Sequence, residues 1–165
     1  MIIQDMCKRR RRNRNVMIIV NAATNLANFR DEIIQELLQQ KYRVIIVSPG
    51  GKRLQKYKEE DGCEVVEVEV NRHGRNPLQD LALFVKYYRL MKRFDPVCIL
   101  TYTIKPNIYG GIAARLCRIP YLVNITGLGI VFDRPGILQK GIVILYRRVM
   151  KHATKVFFQN EENRS

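Results

Sequence analysis

Six short apolar runs recur along the chain with amphipathic segments between them, and this alternation restricts the fold more than any other feature of the sequence. Residues 16–20 (VMIIV), 43–48 (RVIIVS), 97–102 (VCILTY), 121–125 (YLVNI) and 155–159 (KVFFQ) are nearly unbroken apolar stretches of strand length, as expected of strands covered on both faces. Residues 63–70 differ. There Val65, Val66, Val68 and Val70 are set among Glu64, Glu67 and Glu69, which predicts a strand nearer a sheet edge with one polar face. Helical periodicity marks the connections. Leu26, Phe29, Ile33, Ile34, Leu37 and Leu38 recur over residues 26–40, and a short polar helix is expected over 52–60. Asn76 and Pro77 supply a cap and a first-turn proline for a helix reaching Phe94, with Leu78, Leu81, Val85 and Tyr88 as its inner stripe and a basic outer face. Pro106 opens a helix to about Arg118, and residues 137–151 form the last, with Leu138, Ile142, Leu145 and Val149 facing inward. Fully apolar strands joined by such helices require parallel pairing and right-handed crossovers. The predicted fold is α/β: a Rossmann-like, three-layer α/β/α domain with a mainly parallel sheet.

A length of 165 residues suits one such domain. Residues 1–15 hold six Lys or Arg against Asp5 and are expected to be a disordered basic arm; the domain then occupies 16–160 and a short polar tail 161–165. The basic run is followed by no apolar segment of signal-peptide length, and no stretch approaches the ~20 apolar residues of a membrane span, so a cytoplasmic or peripheral location is expected. Cys7, Cys63, Cys98 and Cys117 stand far apart, and His73 and His152 are isolated. Reduced thiols and no clustered metal site follow. The formal charge of +14 favours polyanionic surfaces, phosphorylated ligands or anionic lipid.

Parallel sheets bind ligands at the carboxyl ends of their strands, so the chemistry is sought in residues 21–25, 49–51, 71–76, 103–107 and 126–136. The first of these lacks the G-x-G-x-x-G fingerprint, which argues against a nicotinamide enzyme. Asn21, Thr24 and Asn25 suit either helix capping or anion binding, and Arg30 either a solvated face or a ligand. TYTIKPNIYGG (101–111) is more informative. It joins a strand end, the polar Thr103 and Asn107, and the cation Lys105 to a helix start, an arrangement suited to phosphate. Gly110 and Gly111 inside that helix cost about 1 kcal/mol each, reasonable only if the helix approaches the sheet or a ligand closely. NITGLG (124–129) brings Asn124, Thr126, Gly127 and Gly129 to the next strand end, where backbone amides can face a ligand. Lys140, Arg147, Arg148 and Lys151 lie on a helix without acids; an anionic bilayer and an ordinary sheet-covering helix with a basic exterior both fit it.

Together, Asn21 with Asn28, Phe29 and Arg30, then TYTIKPNIYG (101–110), NITGLG (124–129) and FFQN (157–160), resemble the amino-terminal half of family-4-type glycosyltransferases of the GT-B fold. The likeness spans 16–160 and is most similar to the subgroup that builds bacterial surface or capsular polysaccharide and lipid-linked oligosaccharide. That resemblance implies a nucleotide-sugar donor, an acceptor carried on polyprenyl diphosphate or on a polysaccharide, no cofactor and no metal. It implies that Asn21, Asn25, Arg30, Thr103, Lys105, Asn107, Asn124, Thr126, Gly127 and Gly129 border the cleft on the acceptor side. It implies too that Lys140, Arg147, Arg148 and Lys151 face the inner surface of the cell membrane. Many relatives carry a histidine near the end of the fifth strand, where this chain has Asn124 and Thr126, so no catalytic base is assigned. Such enzymes bind the donor in a second domain. The chain is therefore expected to be a truncated half, inactive alone. The competing expectation is a stand-alone basic module that binds anionic membrane or nucleic acid; the resemblance makes nucleic acid the less expected partner.

Overall fold

The computed structural model describes residues 13–22, 26, 31–71, 76–125 and 137–158, with backbone alone for 137–140. Of the expected arm, residues 1–15, residues 1–12 lie outside that set, as does the tail, 161–165; the arm's end is ordered, with Asn15 opening the first strand and its Nδ2 donating to Phe94 O at 2.6 Å. In chain order the elements are β1 (Asn15–Ile19), α1 (Asp31–Gln39), β2 (Arg43–Ser48), a 3₁₀ turn (Lys52–Leu54) running into α2 (Gln55–Glu59), β3 (Cys63–Glu67), α3 (Pro77–Phe94), β4 (Cys98–Tyr102), a π-type turn (Pro106–Gly110) running into α4 (Gly111–Leu116), β5 (Tyr121–Ile125), α5 (Ile137–His152) and β6 (Lys155–Phe158). All neighbouring strands pair in parallel in the order β3-β2-β1-β4-β5-β6.

Because successive residues of a strand point to opposite faces, β1 feeds two cores. Val16 and Ile18 join Ile34 and Leu37 of α1, Leu54 of the 3₁₀ turn and Tyr57 of α2. Met17 and Ile19 join Leu83, Tyr87, Met91 and Phe94 of α3, Ala113 and Ala114 of α4, and Tyr146 and Val149 of α5. The three layers are thus α1–α2, the sheet, and α3–α4–α5. The strand expected at an edge, β3, is one, and its ladder ends at Glu67 rather than Val70, although Val68 stays buried and its N–H still donates to Ser48 O at 2.9 Å. Rather than sharing one polar face, the glutamates of β3 point to opposite sides of the strand, where Arg43 pairs with Glu64 and Lys58 with Glu67.

Two helices depart from expectation. The predicted inner stripe of α3 is wrong at its start, where Leu78 is 74% exposed and Leu81 58%, while its last member, Tyr88, does pack against the core. Leu83, Tyr87, Met91 and Phe94, equally helical in spacing, are the buried set. The cap is as expected, with Asn76 Oδ1 accepting from Leu78 N at 3.0 Å, and Asp95 ends the helix in the left-handed region (φ 41°). The helix after β4 begins before Pro106, since Ile104 and Lys105 are already helical. Its two glycines answer to packing. A Cβ on Gly110 would lie 3.1 Å from Thr101 Cγ2 and 3.4 Å from Ile19 Cδ1; on Gly111 it would collide with Val149 Cγ1 of α5 and sit 3.2 Å from Tyr121 Cε2. Along α5 Val149 is buried, with Ile142 and Leu145 packed against the same core.

Candidate functional site

β1 and β4 are neighbours, yet the chain leaves β1 for the α1 face of the sheet and β4 for the α4 face. Strand order reverses there, and it is at such a switch point, above the carboxyl ends of two strands, that parallel α/β sheets form their ligand crevice. Ile19 pairs with Thr101, so Asn21 and Thr103 leave the sheet at neighbouring positions. Tyr102 pairs with Asn124, which places the end of β5 beside them. Asn21, Thr103, Lys105, Asn107 and Asn124 therefore gather at one edge, as the sequence led us to expect. Asn25, Arg30, Thr126, Gly127 and Gly129 lie outside the described residues, as does the side chain of Lys140.

Thr103 is the strained residue of this edge. It has φ 73°, a left-handed conformation that a β-branched residue resists. The other described non-glycine residues of positive φ, Lys41, Asp95 and Arg118, follow α1, α3 and α4, where such a conformation ends a helix. Thr103 instead ends a strand. Its carbonyl accepts from Asn107 N at 2.9 Å, while its hydroxyl is buried with no partner among the described residues. Strain of this kind costs about 1–3 kcal/mol and collects at functional sites.

Asn107 is fully buried, which corrects its expected role as a residue facing a ligand. Its Nδ2 donates to Asn124 O and to Tyr146 Oη, both at 3.0 Å, and its Oδ1 is a second buried atom with no partner among the described residues. The side chain is a brace tying the first turn after β4 to the end of β5 and to α5. Burial raises the pKa of Tyr146, the bond from Asn107 opposing it. Asn124 adds a bond across the sheet, from its Nδ2 to Thr101 O at 3.4 Å.

Lys105 is not the open cation the sequence suggested. Its Nζ lies 2.7 Å from Asp80 Oδ1, and the two side chains are only 16% and 19% exposed. Tyr109 Oη donates to Asp80 Oδ2 at 2.9 Å. Burial first, and then that bond, push the Tyr109 pKa up, so the phenol stays a donor. Asp80, Tyr109 and Tyr146 are the members of this edge that sequence reasoning missed. A signal existed for Asp80. It is the sole acid of α3, and both α3 and the helix after β4 start at the carboxyl edge of the sheet, so an acid in one first turn meets a cation in the other. Arg147, Arg148 and Lys151 are exposed on α5.

The profile of the family described as "Glycosyl transferase 4-like" matches residues 16–160. The chain is 28% identical, over 87% of its length and 39% of the relative's, to the N,N'-diacetylbacillosaminyl-diphospho-undecaprenol alpha-1,3-N-acetylgalactosaminyltransferase of Campylobacter jejuni. Among solved structures it superimposes on MurG of Acinetobacter baumannii with a TM-score of 0.58 at 17% identity, covering 88% of this chain and 41% of that one. It superimposes on a UDP-N-acetylglucosamine 2-epimerase with a TM-score of 0.62 at 14% identity, covering 91% and 43%. These structural likenesses concern the fold alone. The chain spans about two fifths of the length of each of these relatives.

Proposed function

The chain belongs to the glycosyl transferase 4-like family, and from that premise we propose that residues 16–160 act as the acceptor-side half of a glycosyltransferase. It moves a sugar from a nucleotide-sugar donor to an acceptor carried on a polyprenyl diphosphate or a polysaccharide. One observation carries the reading: the family match runs unbroken from β1 to β6 and so includes both sides of the crevice between β1 and β4. The acceptor is taken from the Campylobacter jejuni relative, whose name specifies a diphospho-undecaprenol substrate.

In this reading Asn21, Asn25, Arg30, Thr103, Asn124, Thr126, Gly127 and Gly129 border the acceptor cleft. Lys105 stands at its edge with its charge matched by Asp80, and Asn107 holds the cleft walls in place from below. Transfer also requires a donor-binding domain, so the isolated 165 residues turn over no nucleotide sugar. Arg147, Arg148 and Lys151 attract the domain to the inner face of the cell membrane, and no described helix is long and apolar enough to cross one.

The reading is tested by titrating the isotope-labelled chain, in detergent, with a polyprenyl-diphosphate-linked sugar and separately with nucleotide sugars. Saturable shifts at Thr103 and Asn124 with the lipid-linked sugar and none with the nucleotide sugar are expected. Tight nucleotide-sugar binding, or transfer by the isolated chain, would show that the roles of the two halves have been reversed.

A further inference from the structure

The chain just after β4 is held in three costly states at once. Thr103 takes a left-handed conformation, Pro106–Gly110 forms a π-type turn, and Asn107 Oδ1 is buried with no partner among the described residues. Turns of the π type within helices are rare and collect at functional sites, and a buried polar atom without a partner calls for a reason. The reason lies in the other half of the same amide. Its nitrogen has two hydrogens; one goes to Asn124 O, near the end of β5, and the other to Tyr146 Oη, on α5. A backbone carbonyl only accepts, so the amide cannot turn over without setting Oδ1 against Asn124 O. A phenol could meet either end of the amide; here it accepts. The orphaned Oδ1 is thus the consequence of keeping both donor bonds.

Those two bonds flank one segment. β5 ends at Ile125 and α5 begins at Ile137, so a single amide holds both the strand before residues 126–136 and the helix after them. That segment contains Thr126, Gly127 and Gly129, which the acceptor-side reading places at the cleft. Tyr146 is itself buried, and so acts through Asn107 rather than on a ligand. We propose that Tyr146 is a positioning residue of the acceptor cleft: its phenolic oxygen fixes the Asn107 amide, and the amide fixes where the chain leaves β5. The proposal rests on the acceptor-side reading and gives the last helix a part in it.

Tyr121 supplies the control. Its buried phenol donates to Val149 O at 2.6 Å and so ties the same helix to the sheet by a bond that does not involve Asn107.

Tyr146→Phe and Tyr121→Phe each delete one hydroxyl from a ring that keeps its packing, and both are compared with the parent at a temperature where all three are folded. In the isotope-labelled chain without ligand, exchange of the Asn107 Nδ2 hydrogens with water should quicken about tenfold in Tyr146→Phe, as expected for a buried N–H left unpaired. The backbone amide signals of Asn124 and Ile125 should move with it, while Tyr121→Phe leaves the Asn107 signals as they are. In detergent, the polyprenyl-diphosphate-linked sugar should bind Tyr146→Phe about tenfold more weakly and Tyr121→Phe as tightly as the parent, although both variants melt at a lower temperature. Unchanged exchange at Asn107 in Tyr146→Phe, undiminished binding by that variant, or equal weakening in both variants overturns the proposal and leaves Tyr146 as a packing residue. The acceptor-side reading fails on a different result. If the parent itself binds no lipid-linked sugar, that reading falls, while quickened exchange at Asn107 and moved Asn124 signals still establish the relay from Tyr146 to the end of β5.

Discussion

Each helical layer contains the same three-residue device at the start of a helix, in two different settings. In α1, Asp31 accepts from Lys56 Nζ at 2.8 Å and from Tyr57 Oη at 2.9 Å, both on Oδ1. In α3, Asp80 accepts from Lys105 Nζ at 2.7 Å on one oxygen and from Tyr109 Oη at 2.9 Å on the other. The chemistry is shared; the solvent is not. Lys56 and Asp31 are 48% and 42% exposed, against 16% and 19% for Lys105 and Asp80. An exposed pair is screened and contributes little, whereas removing one member of a buried pair strands the other charge. The surroundings differ too. α1 and α2 with the turn before it balance four acids with four cations, while α3, the helix after β4 and α5 carry ten cations and one acid. Asp80 is the single counter-charge of that layer.

Asp80→Ala is therefore the most damaging change expected. A fully buried broken pair costs about 3–5 kcal/mol; with a sixth to a fifth of each side chain exposed we expect about 2–3 kcal/mol, a fall in melting temperature of roughly 5–10 °C. Asp31→Ala should cost no more than about 1 kcal/mol. Equal losses would break the comparison. Lys105→Ala on the Asp80→Ala background should add less than Lys105→Ala alone, since the charge it removes is already unpaired, and a double-mutant cycle on chemical denaturation measures the difference.

Glycines sharpen the contrast between tight and open positions in the layer of α3, α4 and α5. Gly111→Ala drives a methyl into Val149 and Tyr121 and should cost about 1–3 kcal/mol by overpacking; Val149→Ala should recover part of it. Gly141, within α5, would meet nothing within 4 Å. There the substitution should add about 0.5–1 kcal/mol by helix propensity. Opposite signs in thermal melting are the expected outcome. If both changes stabilise, α5 is not packed on the Gly111 face.

Much of this was legible in the sequence, and the parts that were not have physical reasons. The strands were plain because a parallel strand covered on both faces needs no polar positions, and β3 declared its edge position through its glutamates. The rotation of α3 was not legible. Leu78, Leu81, Val85 and Tyr88 keep helical spacing as well as Leu83, Tyr87, Met91 and Phe94 do, so periodicity gives two answers and only packing against β1 and β4 chooses. Thr103, Lys105, Asn107 and Asn124 were found because they leave strands at the switch point. What they touch was hidden, since Asp80 and Tyr146 arrive from 25 and 39 residues away.

Thr103 tests whether the strain at the cleft edge serves binding or the fold. Thr103→Gly relieves a β-branched residue at φ 73° and removes a hydroxyl with no partner among the described residues, so about 1 kcal/mol of added stability is expected. Asp95→Gly, at a helix end, should gain less. If the hydroxyl meets the acceptor, the stabler Thr103→Gly protein binds the lipid-linked sugar more weakly; stability and binding rising together would assign the strain to the fold.

The smallest expected effect is the pH response of the Asp31 pair. The bond from Lys56 leads the lowering of the Asp31 pKa, with Tyr57 adding to it and desolvation opposing. A carboxylate held below its unfolded value contributes stability above that value and loses it as pH falls through the folded one. The melting difference between the parent and Asp31→Asn should thus be small at neutral pH and close between about pH 5 and pH 2. Salt should shrink it further, because a pair this exposed lies within reach of screening. The Asp80→Asn difference, protected by burial, should resist the same salt. A salt response of equal size at both sites would mean that the Asp80 pair is as wet as the Asp31 pair, and the contrast between the two layers would reduce to their net charge.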